Sequence, residues 1–166
     1  MYTQESNNKV QTNGEDNCVF ASMASALSFM GHTNLAYKVF MFGVSFMKND
    51  YYKHYDKAMG TVQRKISDFQ CNAFNRMYQV KRIKYARQFD LLTNASSNPN
   101  HLYHEVLKGD DGSANHCVAI YNNYIFDGNY SHAWKLSVDA LTECIGPDAK
   151  YECIDTGYMY VQYNYK

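Results

Sequence analysis

Cys18, His116 and Asp127 are a thiol, an imidazole and a carboxylate, the groups that nucleophilic catalysis needs as attacker, base and orienter. Cys18 follows the polar, glycine-containing run Asn13-Gly14-Glu15-Asp16-Asn17. It opens the small and apolar run Val19-Phe20-Ala21-Ser22-Met23-Ala24-Ser25-Ala26-Leu27, and neither glycine nor proline interrupts before Gly31. This pattern predicts a helix with the cysteine in its first turn. Asp16 or Asn17 is the expected cap, its side chain accepting from backbone N–H groups that lack an intrahelical partner. The positive end of the helix dipole favours thiolate there, the form that attacks a carbonyl carbon. A lone cysteine on an apolar helix also suits a core, so the reading depends on a base.

The base is expected at His116. Asn115-His116-Cys117-Val118-Ala119-Ile120-Tyr121 reads as a strand opening on the histidine, Asn122-Asn123 as a turn, and Tyr124-Ile125-Phe126-Asp127 as the return strand. Antiparallel pairing brings the start of one strand near the end of the next, so Asp127 is expected close to opposite His116 or its neighbour. A carboxylate there sets the imidazole tautomer and stabilises its charged form. Asn129, two residues further on, is the alternative orienter. Alternation along the strand turns Cys117 to the face away from His116, where it is expected to be inert.

The order of a cysteine, a histidine at a strand start, and an Asp or Asn at the end of the next strand resembles the papain-like cysteine peptidases. The stretch Cys18 to Gly31, with small residues after the cysteine and then Leu27, Phe29 and Gly31, is similar to the nucleophile helix of their bacteriocin-processing branch. Asp16-Asn17-Cys18-Val19-Phe20 is also similar to the Asp-Gly-Asn-Cys-Leu-Phe signature of ovarian-tumour-type deubiquitinases, lacking its Gly and with the Asp one place late. The segment from Leu107-Lys108-Gly109 to Asp127-Gly128-Asn129 resembles peptidase domains of viral and mobile-element proteins. The resemblance implies a papain-like fold and hydrolysis of peptide bonds in a protein or peptide substrate through Cys18, His116 and Asp127, with no cofactor and no metal. It implies maturation of viral or mobile-element proteins, with a ubiquitin-type isopeptidase, an acyltransferase or amidase, and a non-catalytic peptide-binding relative as alternatives. A glutamine upstream of the cysteine completes the oxyanion hole in that group, usually six residues before. Position 12 is Thr here, Gln11 lies seven before, and Asn13 is the substitute.

The elements that must position these groups follow in order. Asn34 to Asn49 predicts a second helix, with Leu35, Val39, Phe40, Phe42, Gly43, Phe46 and Met47 as a broad buried stripe. Thr61 to Tyr78 predicts a third, with Val62, Ile66, Phe69, Ala73 and Met77 inward and Arg64, Lys65 and Arg76 solvated. Strands are expected near Val80 to Tyr85, over Leu102 to Leu107, and over Gly157 to Tyr165. Ser137 is expected to cap a short helix, Val138 to Cys144, stopped by Gly146-Pro147. Helices first and strands second predict an α+β domain spanning residues 1–166, an N-terminal nucleophile helix and helical region packed on a C-terminal antiparallel sheet.

Composition narrows the class. The formal net charge of +0 supplies no global pull toward nucleic acid or an anionic membrane. No run approaches ~18 uninterrupted apolar residues and the N-terminus is polar, so neither a membrane span nor a secretory signal is expected. Five cysteines without regular spacing argue against a disulfide framework and for a reducing intracellular compartment such as the cytoplasm, or a virion. No Cys-x-x-Cys pair occurs. His101 and His104 share a face only if helical, and without a second pair no metal site is expected. Sixteen tyrosines against two prolines, with abundant Asn, Lys and Phe, suit the AT-rich genomes of many viruses and parasites.

Overall fold

The computed structural model describes residues 2, 17–47, 66–78, 81–83, 101–108, 114–130, 132–137, 139–140 and 153–160, with backbone alone at 66–69, 81–83, 105–108, 114–115 and 153–160. Helix α1 (Cys18–Phe29) is buried from Cys18 through Leu27. A helix apolar on every side can be satisfied only by partners on every side. α2 (Thr33–Ser45), α3 (Ile66–Tyr78) and the sheet supply them. α1 ends where Gly31 adopts φ +88°. The Gly31 N–H donates to the Ser28 carbonyl at 3.0 Å and the His32 N–H to the Leu27 carbonyl at 3.0 Å. These two bonds are the Schellman pair, so the glycine expected beyond the helix is the residue that turns the chain.

α2 runs from Thr33 rather than Asn34 and its α-helical hydrogen bonding ends at Ser45, with Phe46 and Met47 also buried beyond it. Its inward face is Ala36, Val39, Phe40, Gly43 and Val44. Phe20 of α1 lies over Gly43 so closely that a Cβ there would stand 2.4 Å from the Phe20 Cβ. α3 turns differently from expectation. Gln70, Cys71, Ala73 and Phe74 face inward, while Met77 is 54% exposed. The apolar count favoured the stripe ending on Met77. Gln70, a polar residue, takes the inward position because α1 and Met47 satisfy its amide. Arg76 is solvated as expected.

The strands β1 (Lys81–Ile83), β2 (His101–Lys108), β3 (Ala114–Tyr121), β4 (Tyr124–Phe126), β5 (Trp134–Lys135) and β6 (Cys153–Tyr160) form one sheet in the order β1-β6-β2-β3-β4-β5. Every neighbouring pair is antiparallel. The described architecture is α+β, helices packed on an antiparallel sheet. β6 begins at Cys153, four residues before the expected Gly157, because Ile154 and Thr156 suit a pleated strand and pairing with β2 carries it through the glycine. The β3–β4 turn is the one expected. Asn122 and Asn123 take φ 51° and 65°, the two positive values of a type I′ turn, which asparagine tolerates well. Leu102, Cys117, Ala119 and Phe126 meet α1, α2 and α3 in a single apolar core. Ser137 Oγ accepts from the Ala140 N–H at 3.0 Å, the bond a cap makes, while most of the expected helix Val138 to Cys144 lies outside the described residues. No helix among the described residues is long and apolar enough to cross a membrane.

Candidate active site

Cys18 is the first residue of α1, with Asn17 at the N-cap position. The Asn17 side chain makes no capping hydrogen bond, contrary to expectation, and Asp16 lies outside the described residues. The cap arrives from another helix. Gln70 Oε1 accepts from the Val19 N–H at 3.1 Å and stands 3.7 Å from Cys18 Sγ. Its Nε2 meets Met47 Sδ at 3.4 Å. A buried carboxamide from α3 thus satisfies an orphan donor that a local cap would otherwise take. The Asn17 amide is left fully buried, with Nδ2 and Oδ1 both lacking a hydrogen-bond partner.

His116 lies near the start of β3, just after the irregularity that shifts the β2–β3 register between Leu107 and Lys108. Its Nε2 is 2.9 Å from Asp127 Oδ1. A carboxylate only accepts, so Nε2 carries the proton in this contact. The same ring forms a side-chain hydrogen bond with Cys18, and Nδ1 is the nitrogen left to make it. Cys18, His116 and Asp127 are therefore brought together by α1, β3 and the end of β4. Burial alone would push the imidazole toward the neutral form. The hydrogen bonds to Asp127 and Cys18 and their charges outweigh it, raising His116 from an ordinary 6.5 to about 10. The imidazolium is the favoured state at neutral pH.

Asp127 is fully buried and approaches diagonally rather than from directly opposite. The register pairs Ala119 with Phe126, which continued by one step sets Asp127 across from Val118. His116 is two residues before Val118, a diagonal distance that side chains on one face can bridge. The Asn129 N–H donates to the same Asp127 Oδ1 at 2.9 Å, so the backbone of Asn129 holds the carboxylate while its side chain is exposed. Cys117 is in the core, fully buried, consistent with strand alternation. Trp134 stacks edge-on with Tyr130 at 5.4 Å and its Nε1 is buried without an acceptor.

Gln11 and Asn13, the expected oxyanion donors, lie outside the described residues. The capping role of Gln70 was not foreseen. Nothing in the sequence around Gln70 marks it, since its partners are far away along the chain. His101 and His104 lie on a strand, not a helix, so their odd spacing sends them to opposite faces. His101 faces Tyr103, with Nδ1 to Oη 3.3 Å, whereas His104 is buried. Among the described residues, the one group of His, Cys and carboxylate side chains close enough to share an ion is Cys71, His104 and Cys117.

Comparison of the chain with protein-family models, with curated proteins and with solved structures finds no match.

Proposed function

We propose that the chain is a papain-like cysteine peptidase acting through Cys18, His116 and Asp127. One observation supports this above the others: a single imidazole is in contact with a helix-start thiol on one side and a buried carboxylate on the other. That is the nucleophile–base–orienter relationship of covalent acyl transfer, recognised by geometry and role. Cys18 Sγ adds to an amide carbonyl carbon and forms a tetrahedral oxyanion. The imidazolium of His116 gives its proton to the leaving amine as the C–N bond breaks, leaving a thioester on Cys18. Neutral His116 then takes a proton from water, whose oxygen attacks the thioester and expels the Cys18 thiolate, restoring the thiolate–imidazolium pair. Asp127 keeps the ring oriented and favours its charged form. The oxyanion would be held by the Cys18 backbone N–H together with a side-chain amide, from Gln11 or from the buried Asn17.

The substrate class we favour is a protein processed during assembly of a virus or mobile element. The test is a brief pulse of a small haloacetamide at neutral pH, followed by mass mapping, on the wild-type chain and His116→Ala. Rapid labelling of Cys18 that collapses in His116→Ala is expected. Equal labelling of all five cysteines, or rates at Cys18 unaffected by His116→Ala, would overturn the reading. A ubiquitin vinyl-sulfone probe run in parallel separates the isopeptidase alternative, which it should label at Cys18, from a peptidase, which it should not.

A further inference from the structure

Three soft donors from three different elements converge in the core. Cys71 on α3, His104 on β2 and Cys117 on β3 place their ligand atoms within 4.8 Å of one another. Their exposures are 1%, 1% and 0%. His104 pairs with Ala119 across the sheet, and Cys117 lies two residues before Ala119, so imidazole and thiol are diagonal neighbours on one face. The cross-strand partners of His104 are Ala119 and Gly157, small residues that leave room around the ring. Phe74, one turn after Cys71 on α3, packs its ring 5.7 Å from the imidazole.

A second observation points to a ligand. Both ring nitrogens of His104 are buried and neither has a hydrogen-bond partner. A neutral imidazole always has one donor and one acceptor, and leaving both unmet in a core is unfavourable. Natural cores satisfy such groups, and a metal bond would satisfy the acceptor nitrogen directly. The donor chemistry selects the ion. Two thiolates and an imidazole suit a thiophilic cation rather than a hard one such as magnesium or calcium. Two thiolates around a dication sum to zero charge, which a dry core tolerates, whereas a monovalent ion would leave a net negative charge there. Zn–S bonds near 2.3 Å and a Zn–N bond near 2.0–2.1 Å at tetrahedral angles hold their donors roughly 3.5–3.8 Å apart, so a cluster within 4.8 Å needs to contract by only ~1 Å.

We propose that Cys71, His104 and Cys117 form a buried zinc site that ties α3 to the β2–β3 pair. Binding forms two Zn–S bonds and one Zn–N bond and releases the two thiol protons to solvent. The clamp is linked to the thiol–imidazole pair through adjacent residues. Cys71 is next to Gln70, which caps α1 beside Cys18, and Cys117 is next to His116. The site does not depend on the peptidase reading, since its ligands are none of the three proposed catalytic groups.

The experiment uses the untagged full chain, purified under reducing conditions without chelator. Zinc content by elemental analysis should be about one per chain. Replacement with Co²⁺ should give intense near-ultraviolet thiolate-to-cobalt charge-transfer absorption. Cys71→Ser, Cys117→Ser and His104→Asn should each lose the zinc. Should a variant fail to fold, the cobalt spectrum of the wild-type chain decides alone. Retention of zinc in all three variants would overturn the proposal. So would a wild-type chain that takes up neither Zn²⁺ nor Co²⁺ with sub-micromolar affinity. A Cys71–Cys117 disulfide found in chain kept under reducing conditions would overturn it as well.

Discussion

Replacing Gln70 by methionine tests the cap that joins α3 to the nucleophile helix. Methionine has nearly the same length and volume, so the cavity term is small and the hydrogen bonds are what change. The contact of Nε2 with Met47 Sδ becomes an ordinary apolar contact. The Val19 N–H, donated to Oε1 at 3.1 Å in the wild type, becomes a buried donor without an acceptor. Such a group costs ~1–3 kcal/mol. For a domain of this size each kcal/mol moves the midpoint about 2–4 °C, so Tm should fall by roughly 2–12 °C. The thiol should feel it too, because the orphaned amide is in the turn that holds Cys18, and pulse alkylation of Cys18 should change with it. Gln70→Glu is the counterpart. It keeps an acceptor for Val19 while placing a carboxylate 3.7 Å from Sγ, so it should disfavour thiolate and slow alkylation. Thermal unfolding by circular dichroism and timed haloacetamide labelling read both effects. A Gln70→Met chain as stable and as reactive as wild type would refute the cap.

Asp127→Asn should lower kcat/KM by roughly a hundred- to ten-thousand-fold, the range for losing the orienter of a catalytic imidazole. His116 is raised to about 10, so its contribution to stability and to the protonated pair is complete below its ordinary 6.5 and lost as pH rises through about 10. The amide removes part of that support, so the alkaline limb of the rate profile should move to lower pH, and an unmoved limb would count against the assignment. Asn129→Ala should cost ~10-fold or less, since its backbone, not its side chain, holds the carboxylate. Asn17→Ala relieves a buried amide with no partner, so it should leave stability unchanged or raised. If Asn17 is the oxyanion donor it should lower kcat by ~10²-fold with little change in KM, and if Gln11 is, Gln11→Ala should show that loss instead. Gly43→Ala drives a methyl to 2.4 Å from the Phe20 Cβ, an overpacking that should cost about 1–3 kcal/mol in urea unfolding.

Local chemistry by itself determined the boundaries at both ends of α1, the two-residue turn and the thiol–imidazole–carboxylate set. Gly31 was legible because a Schellman stop places a positive φ where glycine costs least, and Asn122-Asn123 because a type I′ hairpin turn requires two. His116 and Asp127 were legible because a hairpin joins residues eleven apart by short-range pairing alone. Their diagonal rather than opposed meeting was not, since register is set where strands lock, at Ala119 and Phe126. Contacts between distant segments were beyond local pattern. Gln70 reaches α1 across 51 residues of chain, and its polarity argued for the wrong face of α3. Asn17 had the composition of a cap but lost that role to Gln70, because a helix end takes whichever acceptor packing delivers. The Cys71–His104–Cys117 cluster left no spacing signal at all. Its donors come from a helix and two strands, so only the packing of α3 on the sheet decides that they meet.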